Sequence, residues 1–413
     1  MKKRSNGVSR RDFFKTAGVA GAGALMAPVA ASASATIQQV DQLLAAGQIR
    51  VPTRPFGKSG IDVSILSLGG MFDIDGNQLM LKQAIRWGVT YWDTADCYQR
   101  GSETGIGKYF ARYPQDREKV FLVSKSDARD PDGMSELLDR SLERMKTSYL
   151  DLYFIHGVRD IDELNDETRR WAEKAKAANK IKLFGFSTHR NMQALLSQAP
   201  KLGYIDGIMM TYNFRNMFTD DMKAAVDACA SAGIGLTAMK AQAERSWLNM
   251  NQPDKAGAKL MESFIDQGLT EHQAKLKVVW TNSHIASICS QMPNMTILKA
   301  NAAAAVDPTP LSSRQMHLFQ EFARNTADQY CAGCTQHCEN AVVDGRVPIA
   351  DIMRYHMYCQ SYGHMDWARA HFKTLAPEVR RQLAGTDFSA AERRCPQGMP
   401  IAKLMRKALK DFG

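Results

Sequence analysis

Short apolar runs, most of them ending in a polar residue, recur along residues 54–305, separated by longer amphipathic stretches. They fall at Ser64 to Leu68, Thr90 to Asp93, Val120 to Lys125, Leu150 to His156, Ile181 to Ser187, Gly207 to Thr211, Gly235 to Lys240 and Ile285 to Ser290. Their lengths and their β-branched and aromatic content predict strands. The intervening stretches have helical period, as in Leu137, Leu138, Ser141, Leu142 and Met145 before Leu150. Ahead of the series, Arg54 to Val63 reads as two short strands around a Lys58-Ser59-Gly60 turn. Beyond Val306 the rhythm stops. Asp307-Pro308-Thr309-Pro310 reads as a hinge, and residues 306–413 are helical in pattern with short loops.

Eight strand–helix alternations in about 250 residues are the length and rhythm of a (β/α)8 barrel, an α/β fold with an outer ring of helices. An open doubly wound sheet is the rival. It would place a Gly-rich phosphate loop directly after the first strand, and Leu68-Gly69-Gly70-Met71-Phe72 holds no G-x-G-x-x-G. In a barrel, function gathers at the carboxyl ends of the strands. Asp93, Lys125 and His156 each end a predicted strand, and Tyr98 lies in the loop after one.

A free phenol, with its pKa near 10, is a poor acid or base at neutral pH. An ammonium beside Tyr98 would favour the phenolate, so Lys125 is expected to move it toward the working range, with Asp93 holding the ammonium. His156 is expected to donate a hydrogen bond to a carbonyl oxygen. The set suits hydride addition to a carbonyl, or the reverse oxidation of an alcohol, with a cofactor carrying the hydride. Each residue alone has a structural reading, and Cys97 beside Tyr98 reads as small filler.

With 413 residues and 45% hydrophobic content the chain can bury a large core. Its formal charge of +10 changes little, because residues 1–35 hold six Lys/Arg against one Asp and leave the remainder at +5. No basic stripe interleaved with aromatics points to nucleic acid. Ser9-Arg10-Arg11-Asp12-Phe13-Phe14-Lys15, followed by an apolar run from Ala17 to Ala31, looks like a twin-arginine signal. Residues 36–53 read as a polar linker with one weak helix around Gln38 to Ala46.

Several motifs in order resemble the aldo-keto reductase superfamily. They are Asp93-Thr94-Ala95 with Tyr98, Ser102-Glu103 with Gly105 and Gly107, Ser124-Lys125, Asp151-Leu152-Tyr153-Phe154-Ile155-His156, and Gly185-Phe186-Ser187-Thr188-His189. The resemblance covers roughly Arg54 to Ala305. It implies a catalytic tetrad at Asp93, Tyr98, Lys125 and His156, and a nicotinamide cofactor, NAD(P)(H), bound without a Rossmann fold. It implies cofactor contacts at Ser187, Thr188, Asn213, Lys240 and Asn301. Thr188 stands where Asn is common, Met209 where Gln is common, and the Ser290 to Asn301 stretch lacks the family's glycine and its basic and acidic positions.

The tail carries Cys331, Cys334, Cys338, Cys359 and Cys395 among eight cysteines. The C-x2-C-x3-C spacing with a remote Cys-Pro suits an iron-sulfur site. The tail resembles the ferredoxin-like extension of iron-sulfur aldo-keto reductases, which implies one [4Fe-4S] cluster on Cys331, Cys334, Cys338 and Cys395, with Cys359 the alternative fourth ligand. A structural zinc with His337, or disulfides, are the rivals.

The expectation is therefore a signal at 1–35, a linker at 36–53, a barrel at 54–305 and a Cys-rich helical domain at 306–413. Its function is expected to be periplasmic carbonyl–alcohol interconversion coupled to the cluster. Its partners would be a small carbonyl or alcohol substrate, the twin-arginine export machinery and an electron-transfer partner in the periplasm or membrane. An exported binding or electron-transfer module whose barrel has lost nicotinamide binding is the alternative.

Overall fold

The computed structural model describes residues 42–44, 46–98, 101–243, 262, 269–342 and 347–413. The expected signal, residues 36–41 and 45 of the linker and most of the insertion from Gln242 to Thr270 lie outside them. No helix among the described residues is long and apolar enough to cross a membrane.

Eight parallel strands close into a barrel: β3 (Leu66–Gly69), β4 (Tyr91–Asp93), β5 (Phe121–Ser126), β6 (Leu150–Ile155), β7 (Ile181–Thr188), β8 (Gly207–Thr211), β9 (Gly235–Met239) and β10 (Ile285–Gln291), with β10 pairing to both β9 and β3. The first barrel strand starts at Leu66 and not at Ser64. Ser64 belongs to an antiparallel hairpin of β1 (Thr53–Pro55) and β2 (Asp62–Ser64), and its hydroxyl bonds Leu66 O at 2.8 Å where the chain turns into the barrel.

That hairpin closes the amino-terminal end. Phe56 is fully buried, and a Cβ on Gly235 or Gly207 would come within 2.5 and 2.8 Å of its ring. Only glycine at these strand starts leaves room for the plug. Arg54 donates to Trp280 O, Asn282 O and Ile285 O, anchoring the hairpin to the last repeat.

Side-chain alternation divides each strand between two cores. Phe56, Tyr91, Phe121, Val123, Leu152, Phe154 and Met209 fill the barrel interior. Trp92, Leu122 and Tyr153 face the helices, where Trp92 stacks on Phe110 at 5.7 Å. Helix Ser313–Asn325 belongs to this outer core, since Phe319 and Phe322 lie 5.3 and 5.6 Å from Phe214. A separate cluster of Ile352, Phe372, Leu404 and Phe412 holds the rest of the tail. Barrel and tail belong to one compact unit, Ala35–Gly413.

Candidate active site

The alternation that buries Tyr91, Phe121 with Val123, and Leu152 with Phe154 continues to the end of each strand. Two residues on, the same inward face carries Asp93, Lys125 and His156, all at the carboxyl end of the barrel. Adjacent strands step these positions by two residues, because Asp93 pairs with Val123 and Lys125 with Phe154.

Lys125 is the hub. Its side chain is 1% exposed and its ammonium lies 2.7 Å from an Asp93 oxygen. It also donates to Thr94 O at 2.7 Å and to the Tyr98 oxygen at 3.4 Å. A buried ammonium needs such partners, because desolvation would otherwise drive off its proton.

The effect on Tyr98 differs from the sequence expectation. Withdrawal from water pushes the Tyr98 phenol well above its ordinary range, and the Asp93 carboxylate adds to the shift. The lysine charge is shared with Asp93, so it does not dominate. Tyr98 is held as O–H, a proton donor.

The loop bearing Tyr98 is braced by residues whose motif the sequence showed without its purpose. Ser102 Oγ bonds Thr94 Oγ1 and Gly70 O, each at 2.7 Å. Glu103 accepts from Ser124 at 2.7 Å and from Arg144 at 3.2 Å, and Arg140 and Arg144 grip Asp96. A Cβ on Gly107 would meet Arg144 O at 1.9 Å, so the helix can approach only as glycine.

His156 meets a residue that sequence reasoning missed. Its Nδ1 lies 2.9 Å from Asp127 Oδ1 and 3.4 Å from Cys97 Sγ. The signal was present: Asp127 is two residues beyond Lys125, on the same face. Burial lowers the His156 pKa more than Asp127 raises it. Burial would raise Asp127, but the His156 contact outweighs it and holds the carboxyl at about 2.

The tail roofs the site. A cavity of about 660 Å³ lies between the tetrad edge and tail residues including Arg354, Tyr358, His364 and Trp367. Tyr358, in helix Ile349–Ser361, accepts from Lys240 Nζ at 2.8 Å and stacks on Trp367 at 4.2 Å. Burial would raise this phenol, but the Lys240 ammonium outweighs it and draws the pKa below the ordinary range. Asp351, in the same helix, is gripped by Arg159, Arg190 and Arg354, which joins barrel to tail.

Residues 67–287 match the model of the Aldo/keto reductase family. The chain belongs to that family. Among curated relatives it resembles the uncharacterized oxidoreductase YqkF of Bacillus subtilis, 32% identical over 176 residues, which are 39% of this chain and 56% of the relative. The chain spans about half the length of the curated relatives it matches. Among solved structures it resembles the aldo-keto reductase AKR11C1 from Bacillus halodurans (TM-score 0.54, 22% identity, 66% of this chain and 96% of that one). It also resembles the thermostable aldo-keto reductase Tm1743 (TM-score 0.55, 24% identity, 66% and 99%). These structural likenesses speak for the fold.

Aldo/keto reductases use NAD(P)(H), and the five residues expected to hold it have their polar atoms turned to other parts of the chain. Ser187, buried, accepts from Gly157 N at 3.0 Å. Thr188 donates to Val158 O at 2.8 Å and Asn301 to Ser290 Oγ at 3.0 Å. Asn213 donates to Lys240 O and to the Tyr330 hydroxyl of the tail, and Lys240 is taken by Tyr358. Of the five, none lines the cavity beneath the tail and Lys240 alone borders the small neighbouring one. So engaged, and with two tail tyrosines upon them, they would hold a dinucleotide only on release of these contacts.

The tail cysteines sort cleanly. Cys331, Cys334, Cys338 and Cys395 line one small cavity with Ile349, Met353 and Ile401, whereas Cys359 lies apart, 3.6 Å from Met365 Sδ. His337 lines the same cavity. All eight cysteines are unpaired. Burial pushes Cys331 up to about 12 and Cys334 to about 11. A soft cation would reverse that preference. Four soft sulfurs around one small cavity, with His337 beside them, are a donor set that a cluster or a zinc could use.

Proposed function

We propose that this aldo/keto reductase is an exported oxidoreductase that interconverts a carbonyl and an alcohol in the periplasm, with NAD(P)(H) as hydride carrier and one [4Fe-4S] cluster in the tail. The observation that carries the reaction is the buried Lys125, which joins Asp93 to the Tyr98 hydroxyl at the strand ends. A substrate carbonyl oxygen in the cavity accepts the Tyr98 O–H, and the proton passes to that oxygen as negative charge develops. The phenolate left behind is stabilised by Lys125, which Asp93 keeps in place. In the family the nicotinamide supplies the hydride. Cys331, Cys334, Cys338 and Cys395 would hold the cluster, whose chemistry is single-electron exchange, and the twin-arginine-like Ser9 to Lys15 segment supports export. The partners that this reading requires are the export machinery, a small carbonyl or alcohol substrate and an electron carrier in the periplasm or membrane.

A second reading has the barrel without nicotinamide, working as a binding or electron-transfer module. The engagement of Asn213 by Tyr330 and of Lys240 by Tyr358 favours it. Release of bound nucleotide from purified protein, and titration with NADPH and NADH, separate the two. Protein that carries no nucleotide and binds none sinks the first reading. Under the first reading Tyr98→Phe lowers turnover about 100- to 10,000-fold while leaving the fold intact; full activity in that variant removes the proton-donor role.

A further inference from the structure

Asp127 lies outside the residues the family resemblance assigns to catalysis, yet it fixes what His156 can do. The Asp127 carboxyl, held at about 2, is ionised at neutral pH and therefore only accepts hydrogen bonds. It sits 2.9 Å from His156 Nδ1, so that nitrogen carries the hydrogen. Cys97, 3.4 Å from the same nitrogen, shares Asp127 as its acceptor. A neutral imidazole has one N–H, and the other nitrogen is a bare acceptor. His156 is kept neutral by its burial. The groups around it do not change the count. Lys125 and Asp93 pair with each other, Tyr98 stands edge-on at 5.9 Å between centroids, Arg129 donates to the His156 carbonyl at 2.8 Å, and His189 is held neutral by burial. Among the described residues Nε2 has no hydrogen-bond partner, and His156 lines the catalytic cavity.

We infer that Asp127 is a positioning residue that sets His156 as a hydrogen-bond acceptor toward the cavity, and that the substrate is a carbonyl compound bearing a hydroxyl next to the carbonyl, or the corresponding diol. The carbonyl oxygen takes the Tyr98 hydrogen, and the neighbouring hydroxyl donates to His156 Nε2. The role expected for His156, donation to the carbonyl, is thereby reversed. A simple ketone offers Nε2 no hydrogen to accept, whereas a neighbouring hydroxyl does. The inference rests on the reading of Tyr98 as the acid for the substrate class, and on Asp127 alone for the tautomer.

The test uses full-length protein labelled with 15N-histidine, the His156 signals being assigned by their loss in His156→Gln. Two-bond proton–nitrogen correlation spectra near neutral pH are expected to show Nδ1 protonated and Nε2 as a bare acceptor. In Asp127→Ala that preference is expected to be lost. Hydroxyacetone is expected to move the Nε2 resonance while acetone does not, and Asp127→Ala is expected to weaken hydroxyacetone binding about tenfold with acetone binding unchanged. A protonated Nε2 in the parent protein, or an equal response to both ketones, overturns the inference. So does a cobalt titration giving a thiolate charge-transfer band that vanishes in Cys97→Ser, because Cys97, Asp127 and His156 place their ligand atoms within 4.8 Å of one another and would then be a metal site. None of these spectra needs turnover, so a failed reductase reading would leave the tautomer result standing.

Discussion

Replacing Lys125 with methionine isolates the pair on which the site depends. The Lys125 and Asp93 side chains are 1% and 3% exposed and 2.7 Å apart, so the substitution strands a carboxylate inside the barrel mouth. Breaking a buried pair from one side costs about 3–5 kcal/mol. For a domain of this size each kcal/mol moves Tm by about 2–4 °C, so the drop should fall between about 6 and 20 °C. The loss should also depend on pH with a definite sign. The penalty comes from a buried charge without its partner, so acid, which neutralises carboxylates, should narrow the gap to the parent protein. Adding Asp93→Asn removes the stranded charge and should recover more than half of the loss. Urea unfolding of the four proteins at two pH values measures every corner of the cycle. A loss below about 1 kcal/mol, or a gap that does not narrow on acidification, would refute the buried pair.

Other contacts lead to outcomes of their own. Phe56→Ala, which empties the plug at the amino-terminal end, should cost about 3–5 kcal/mol in denaturant unfolding. Cys395→Ser should lower iron and acid-labile sulfide in anaerobically purified protein, while Cys359→Ser should leave both unchanged; the opposite pattern would exchange their roles. Asp127 titrates near 2 when folded against an ordinary 3.8, so it adds stability above about pH 4 that is lost as pH falls through about 2. Asp127→Asn should remove that part of the acid dependence, seen as a shallower stability profile between those limits.

What the sequence could disclose depended on how local the cause was. Asp93, Lys125 and His156 were legible because a period of two carries the inward face of each strand to its end. Asp127 obeys the same parity and was readable in principle, but a lone Asp past a strand end resembles any loop carboxylate. Ser64 was placed in the barrel because its composition is strand-like, and only the hairpin's return to Thr53 shows that it pairs elsewhere. The direction of the Tyr98 shift was not legible, since charge can be guessed from neighbours whereas withdrawal from water is set by the whole mouth. Tyr330 and Tyr358 were beyond reach. They meet Asn213 and Lys240 across 117 and 118 residues, and no local pattern encodes a contact of that span.

The join between the cysteine loop and the barrel has a consequence for the order in which the molecule takes shape. Gly333, at φ +74°, lies so close to the His189 carbonyl that any Cβ would meet it at 2.2 Å. Its own carbonyl accepts from Asn191 N at 2.9 Å, and Asn191 reaches Thr335 at 2.8 Å. The stretch from Cys331 to Thr335 is thus moulded on the loop after β7, a surface that exists only when β7 is already paired in the barrel. The barrel sequence precedes the tail in the chain, so a closed barrel would offer that surface to the three clustered cysteines. A chain whose barrel fails to close would lack the surface against which Gly333 and its neighbouring thiols are set.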